Sequence, residues 1–281
     1  MKTNNLLTVL LLLSVLFLSQ IGCNKNDDSN NNEKYFTLGV ILPMDLEDGT
    51  LSENSLRTAI DEINNAGGVG DGYEIRLDVK SSEGSDRQIS AALAANNIID
   101  ESENLIGFVS SFSSSTLGIN EIVIPELYPV IAGSATDGSL SNVSPYFQRL
   151  CSPNSFEANV LTQQAAEYGI SSIAIAFEKG EPYSEDLATA FADSYESEIP
   201  AILEFSQGDP NLESKINELL ESNPEGIFIS MLNPDVYSEF FTALNNMNNN
   251  NLLEQTSFLL SDGFAGNEFF TLPIDYLLGD I

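Results

Sequence analysis

The sequence predicts an α/β protein of two Rossmann-like lobes, each built on a parallel central sheet with helices on both faces. Three observations predict it. Apolar runs of strand length alternate along the chain with segments of helical spacing. Repeated β-α-β order implies parallel sheets, because a crossover helix carries the chain back to the end of the sheet at which the previous strand began. The chain has 281 residues, and the roughly 250 that follow its leader suit two such units better than one.

The elements follow in order. Leu6–Leu18 is almost wholly apolar, yet about thirteen helical residues span only ~20 Å, short of a ~30 Å hydrocarbon core. The stretch therefore reads as the apolar region of a signal peptide, residues 1–22. Ser19-Gln20-Ile21-Gly22-Cys23 places a small residue before a cysteine, as a lipoprotein signal peptidase requires, so Cys23 is the expected lipidation site. Gln20 where such signals carry Leu, and Lys2 as the one basic residue before the apolar region, keep an ordinary secreted protein as the alternative. Asn24–Glu33 contains no apolar residue, so residues 23–34 are expected to be a solvated tether between membrane and domain.

Strands are expected at Phe36–Leu42, Ile75–Val79, Ile106–Val109, Val130–Ala132, Ile173–Phe177, Ile199–Phe205, Ile227–Met231 and Phe258–Leu260. Leu56, Ala59, Ile60 and Ile63 recur at helical spacing and predict a helix with one buried face. Gly67-Gly68 ends that helix, and Asp71-Gly72 turns the chain into the second strand. Similar spacing marks Ala91, Leu93, Ala94 and Ile98, and again Leu161, Ala165 and Ala166. Ser152-Pro153-Asn154 interrupts the pattern, which puts the first lobe at residues 35–150 and the second at 151–281. Asn245–Asn251 reads as a polar loop.

Composition limits the chemistry. Lys plus Arg number 10 against 42 Asp plus Glu, a formal charge of −32, so nucleic acid is not an expected partner. The acids are spread among periodic apolar segments and read as a solvated acidic surface; no stretch has the spacing of a calcium loop. There is no histidine, which excludes Ser-His-Asp and Cys-His arrangements and histidine-zinc sites. The two cysteines are Cys23 and Cys151. With Cys23 acylated, Cys151 stands alone as a small core or hinge residue. Phosphate-binding glycine motifs are lacking, no cofactor is expected, and a binding role is favoured over an enzyme. A carboxylate-pair glycosidase is the distant alternative.

Ligands of open α/β sheets sit at the carboxyl ends of strands. Two hydroxyl-rich loops fall there: Ser110-Ser111-Phe112-Ser113-Ser114-Ser115-Thr116, and Gly133-Ser134-Ala135-Thr136-Asp137. The first is expected to cap the following helix, and both offer hydroxyl and amide donors to an anion. Serines that do no more than cap helices are the plainer reading.

The wording AIDEINNAGGV at Ala59–Val69, after Leu38-Gly39-Val40-Ile41-Leu42-Pro43, closely resembles the first unit of periplasmic binding proteins of the leucine/isoleucine/valine-binding type. The resemblance continues more thinly to about Gly263. It implies a two-lobed receptor that closes on an amino acid or similar small polar ligand at the cell envelope and delivers it to the permease of an ABC importer. It also implies site residues. Ser113 matches the serine that binds the ligand carboxylate, with Ser111 competing because the loop is longer. Ser134 and Thr136 match a Ser-Ala-Thr motif, Tyr183 an aromatic that packs on the ligand, and Asp262 an acid that pairs with its ammonium. For Tyr183 a loop aromatic, and for Asp262 a surface-turn aspartate, remain the plain alternatives.

The sequence departs from that pattern at several points. Ser184 replaces a glycine, Leu232 stands where a branched-chain receptor has a tyrosine, and Asp48 lies near a position often aromatic. The chain also stops where the family returns to its first lobe, which reads as a truncated second lobe. A regulatory or structural lipoprotein of the same fold, such as an activator of a cell-wall enzyme, is the rival function.

Overall fold

A computed structural model describes residues 34–84, 86–247 and 256–264. The expected signal peptide, Cys23 and most of the tether lie outside the described residues.

Two parallel sheets organise the fold. The first contains β1 (Tyr35–Leu42), β2 (Glu74–Ser81), β3 (Leu105–Ser110), β4 (Val130–Ala132) and β5 (Phe147–Arg149), in the order β2-β1-β3-β4-β5. The second contains β6 (Ile173–Glu178), β7 (Ile202–Phe205), β8 (Gly226–Ser230) and β9 (Ser257–Leu260), in the order β7-β6-β8-β9. Every pairing is parallel. The connecting helices are α1 (Glu47–Asn65), α2 (Arg87–Glu101), α3 (Ser113–Val123), α4 (Asn154–Glu167), α5 (Pro182–Ser194), α6 (Leu212–Glu221) and α7 (Pro234–Met247).

The second sheet shows why its strands read as unbroken apolar runs. Ala174, Ala176, Ile227 and Ile229 pack on one side against Ile216, Leu219, Phe240 and Leu244 of α6 and α7. Their neighbours Ile173, Ile175 and Phe228 pack on the other side against Ala158, Leu187 and Phe191 of α4 and α5. A strand covered on both faces has no polar alternation to display. In the first sheet, Ile41, Phe108, Val130 and Ala132 face α2 and α3 through Ala91, Ala94, Ile98 and Ile119.

Glycine allows two close approaches in this lobe. A β-carbon on Gly118 of α3 would lie 2.0 Å from the Gln88 carbonyl oxygen of α2. Gly68 has a φ of +76°, and its amide bonds the Ile63 carbonyl at 3.0 Å to close α1; a β-carbon there would meet the Tyr73 carbonyl oxygen at 2.3 Å.

Several expectations are corrected. The stripe on α1 is only half covered: Leu56 and Ile60 are part-buried, whereas Ala59 and Ile63 are exposed. The helix packs chiefly on β1 and β2 among the described residues, so one side of the stripe lacks a neighbour there. Leu93 is 60% exposed and Ala166 is exposed, because Ala95 and Thr162 take the inward positions. The strand expected from Ile199 begins at Ile202, since Pro200 has no N–H to enter the ladder. Asn245 and Asn246 belong to α7, and Asn248–Asn251 lie outside the described residues.

Among the described residues the chain passes between the sheets once, at Leu150–Pro153. Beside this crossing, Asp186 Oδ2 accepts from the Gly138 amide at 2.9 Å and from Asn154 Nδ2 at 2.8 Å. The Asn154 amide donates to the Thr136 carbonyl at 2.8 Å.

Candidate functional site

The carboxyl ends of β3, β4, β6 and β9 face one another across the space between the sheets. A cavity of about 120 Å³ there is lined by Asp48, Phe112, Ser113, Ser134, Thr136, Tyr183, Leu232, Asp262 and Gly263. The structure thus brings Ser113, Ser134, Thr136, Tyr183 and Asp262 together. Ser111 is not in the wall; its hydroxyl bonds the Ser134 hydroxyl at 3.0 Å from behind.

The serine loop works differently from a set of caps. Phe112 is the residue before α3, and no side chain caps the helix. Ser113, Ser114 and Ser115 lie within the first turn and are buried. Ser110 and Thr116 hydroxyls bond at 2.7 Å, and Ser115 Oγ donates to Ser82 Oγ at 2.8 Å, so these groups stitch α3 to the sheet. Ser113 Oγ accepts from the Thr136 and Asp137 amides, both at 3.1 Å. With its lone pairs so used, its own O–H remains to donate into the cavity. Thr136 Oγ1 is buried without a hydrogen-bond partner. Arg149 braces the same loop by donating to the Asp137 carbonyl at 2.9 Å.

The opposite wall carries Tyr183 and Asp262. Pro182 occupies the first turn of α5, where a missing N–H costs nothing, and Tyr183 follows it. Tyr183 Oη donates to Asp262 Oδ1 at 2.5 Å and accepts from the Gly263 amide at 3.1 Å. The Asp262 amide donates to Glu157 Oε1 at 2.9 Å. Glu157 Oε2 is buried without a partner, and burial together with the Asp262 charge pushes the Glu157 carboxyl well above the usual carboxylate range. Burial likewise raises the Tyr183 phenol, with Glu157 and Asp262 adding to the effect. Glu178 accepts from the Leu232 and Asn233 amides, both at 2.9 Å, and so fixes Leu232 in the wall.

Two further spaces adjoin the cavity. One, of about 580 Å³, shares Thr136 and Asp262 and runs past Cys151, Phe156, Glu157 and Phe264. The other is a cleft of about 910 Å³ that shares Leu232 and includes Asp45, Arg87, Glu178 and Glu181. Cys151 is a free thiol, raised above its ordinary pKa by burial. Among the described residues no group of three or more His, Cys, Asp or Glu could hold a metal ion, and no helix is long and apolar enough to cross a membrane.

Sequence reasoning missed Glu157, whose link to Asp262 spans 105 residues and leaves no local pattern. It also passed over Phe112, the apolar member of the serine loop.

A family model described as periplasmic binding protein matches residues 37–263. No curated protein matches the chain by sequence. A leucine-binding protein, LivK, of Thermotoga maritima superposes with a TM-score of 0.73 at 18% identity, covering 87% of this chain and 67% of that one. LivJ of Streptococcus pneumoniae, a branched-chain amino acid transporter substrate-binding protein in complex with isoleucine, gives 0.69 at 21% identity, covering 87% and 68%. An ABC transporter solute-binding protein of R. palustris, in complex with 4-hydroxybenzoate, gives 0.67 at 15% identity, covering 82% and 62%. At these identities the likeness is one of fold, and the chain spans roughly two thirds of each of the three.

Proposed function

Because the chain belongs to the periplasmic binding protein family, matched over residues 37–263, we propose that it is an extracytoplasmic receptor for an amino acid or similar small polar ligand. One observation carries this reading: Ser113, Ser134 and Thr136 from one lobe, and Tyr183 and Asp262 from the other, line a single cavity. Hydroxyl donors on one wall suit a carboxylate, and Asp262 on the other suits an ammonium. The unpartnered Thr136 hydroxyl gains a hydrogen bond when such a ligand enters, since a buried polar group left unpaired is costly.

Ligand groups held from both lobes favour the closed arrangement over any open one, which is how binding becomes a signal. The receptor then presents the closed form to the permease of an ABC importer. Lipid on Cys23 would hold it at the membrane surface, with residues 23–34 as the tether.

Thermal melting with free amino acids, amides and small carboxylates tests this. A rise in melting temperature with at least one amino acid is expected, abolished by Asp262→Ala and weakened by Thr136→Ala. If no such compound shifts the melt, the transport reading fails and a regulatory or structural role of the same fold replaces it.

A further inference from the structure

We propose that Glu157 is the proton-carrying partner of Asp262, so that the ammonium of a ligand enters this site in exchange for a proton released from Glu157. The inference rests on the amino-acid reading above and goes beyond it by naming the ion that the ligand displaces.

Geometry sets the two acids back to back. Glu157 lies in the first turn of α4, just after the crossing at Leu150–Pro153, and lines the space of about 580 Å³ together with Asp262 and Thr136. Its Oε1 accepts from the Asp262 amide at 2.9 Å, whereas Oε2 is buried and has no hydrogen-bond partner. The titratable groups that face it are Asp262 from the turn after β9, Tyr183 from α5 and Cys151 from the crossing. None is a cation. Among the described residues no lysine or arginine lines this space. Arg149, just before the crossing, donates to the Ala135 and Asp137 carbonyls, and Asp186 of α5 is turned to the Gly138 amide and Asn154.

Such surroundings keep one proton on the pair. An ionised Glu157 would hold negative charge on an oxygen with no donor beside it, next to a second carboxylate. Asp262 has the Tyr183 hydroxyl as a donor and is the exposed member, so the charge stays there and the proton on Glu157. The N-terminal turn of α4 favours the charged form, but burial and the Asp262 charge outweigh it and hold the Glu157 carboxyl well above its ordinary range.

An ammonium beside Asp262 reverses that preference. It cancels the charge that opposed ionisation of Glu157, and the proton leaves through the adjoining space to bulk water. One cation has entered and one has left. The Asp262 amide then donates to a charged acceptor, a stronger bond than before, so the turn that carries Asp262 is held more tightly when ligand is present. While the free site keeps its proton, each ammonium must expel it. Affinity therefore rises with pH and levels off above about pH 7, where free Glu157 has already ionised.

Calorimetric titration of the full chain with each common L-amino acid tests the proposal, in phosphate and imidazole buffers at pH 6 and in phosphate and Tris at pH 8. The buffers of each pair differ in ionisation enthalpy, so the difference in heat counts the protons. An amino acid that binds should release between about half and one proton at pH 6 and close to none at pH 8, and its affinity should rise about fivefold from pH 5.5 to 7. Glu157→Gln keeps an acceptor for the Asp262 amide but has no proton to lose; it should bind without release and with an affinity that stays flat over that range, circular dichroism confirming its fold. The count on the unaltered chain needs no variant. Binding without proton release at pH 6, or release that persists in Glu157→Gln, overturns the proposal while leaving the amino-acid receptor intact. Absence of binding by every amino acid overturns the receptor reading itself, and this proposal with it.

Discussion

The Tyr183 hydroxyl and the Asp262 carboxylate meet at 2.5 Å across 79 residues of sequence. This bond ties the start of α5 to the turn after β9 and fixes the direction in which the carboxylate points. A hydrogen bond to a charged group is worth about 1.5–3 kcal/mol. Tyr183→Phe is predicted to weaken ligand binding about tenfold and to lower stability by about 1 kcal/mol. Titration calorimetry and urea denaturation read the two effects separately, and unchanged affinity would refute the orienting role.

Ser113 supports the hydroxyl wall through the two amides it accepts. Ser113→Ala leaves both without an acceptor in a site where Ser113 is only 1% exposed. The expected cost is about 2 kcal/mol, seen as a lower urea midpoint at constant m-value. Ser111→Ala, which loses a single contact to Ser134, should cost less than half as much.

Glu181 gives the fold a pH dependence. Burial, followed by the Glu178 charge, raises its carboxyl from 4.5 to about 7. The folded chain therefore holds this proton between about pH 4.5 and 7 while the unfolded chain has released it. Folding stability from this group falls as pH rises through that window, and the loss is complete above about pH 7. The penalty is at most roughly 3 kcal/mol, since the residue keeps part of its surface in water. Glu181→Gln should raise the melting temperature at pH 8 and change it little at pH 4; an equal shift at both would contradict the assignment.

Gly118 sets the spacing of α2 and α3. Gly118→Ala would place a methyl 2.0 Å from the Gln88 carbonyl oxygen, which no rotamer relieves because the backbone fixes the β-carbon on one side and the carbonyl on the other. Overpacking of this kind costs about 1–3 kcal/mol. Chemical denaturation measures it, and a neutral result would mean that the helices separate freely.

Much of this architecture was legible because parallel strands buried on both faces leave apolar runs, as at Ile173–Phe177 and Ile227–Met231. Where a strand deviates, a single residue explains it, as Pro200 does for the late start of β7. The face of α1 was legible as a stripe but not in its degree of cover, which depends on neighbours far along the chain. At the candidate site, Ser134-Ala135-Thr136 and Asp262 stood out through a family resemblance, and the serine loop through its composition. The choice between Ser111 and Ser113 required the register of α3, which decides which hydroxyl faces the cavity and which lies behind it. Glu157 was illegible, because its meeting with Asp262 exists only once β9 lies beside α4.

Asp186 holds the Gly138 amide and Asn154 beside the crossing at Leu150–Pro153, and the space containing Asp262 runs along that same crossing. The ligand's ammonium would therefore act close to a fulcrum, while Asp86 and Asp235 lie in the cleft wall away from it. On the receptor reading proposed above, closure turns about this crossing, and a rotation of a few degrees there moves the rim by a much larger arc. Spin labels at positions 86 and 235 should register that stroke, and labels flanking the crossing should barely move.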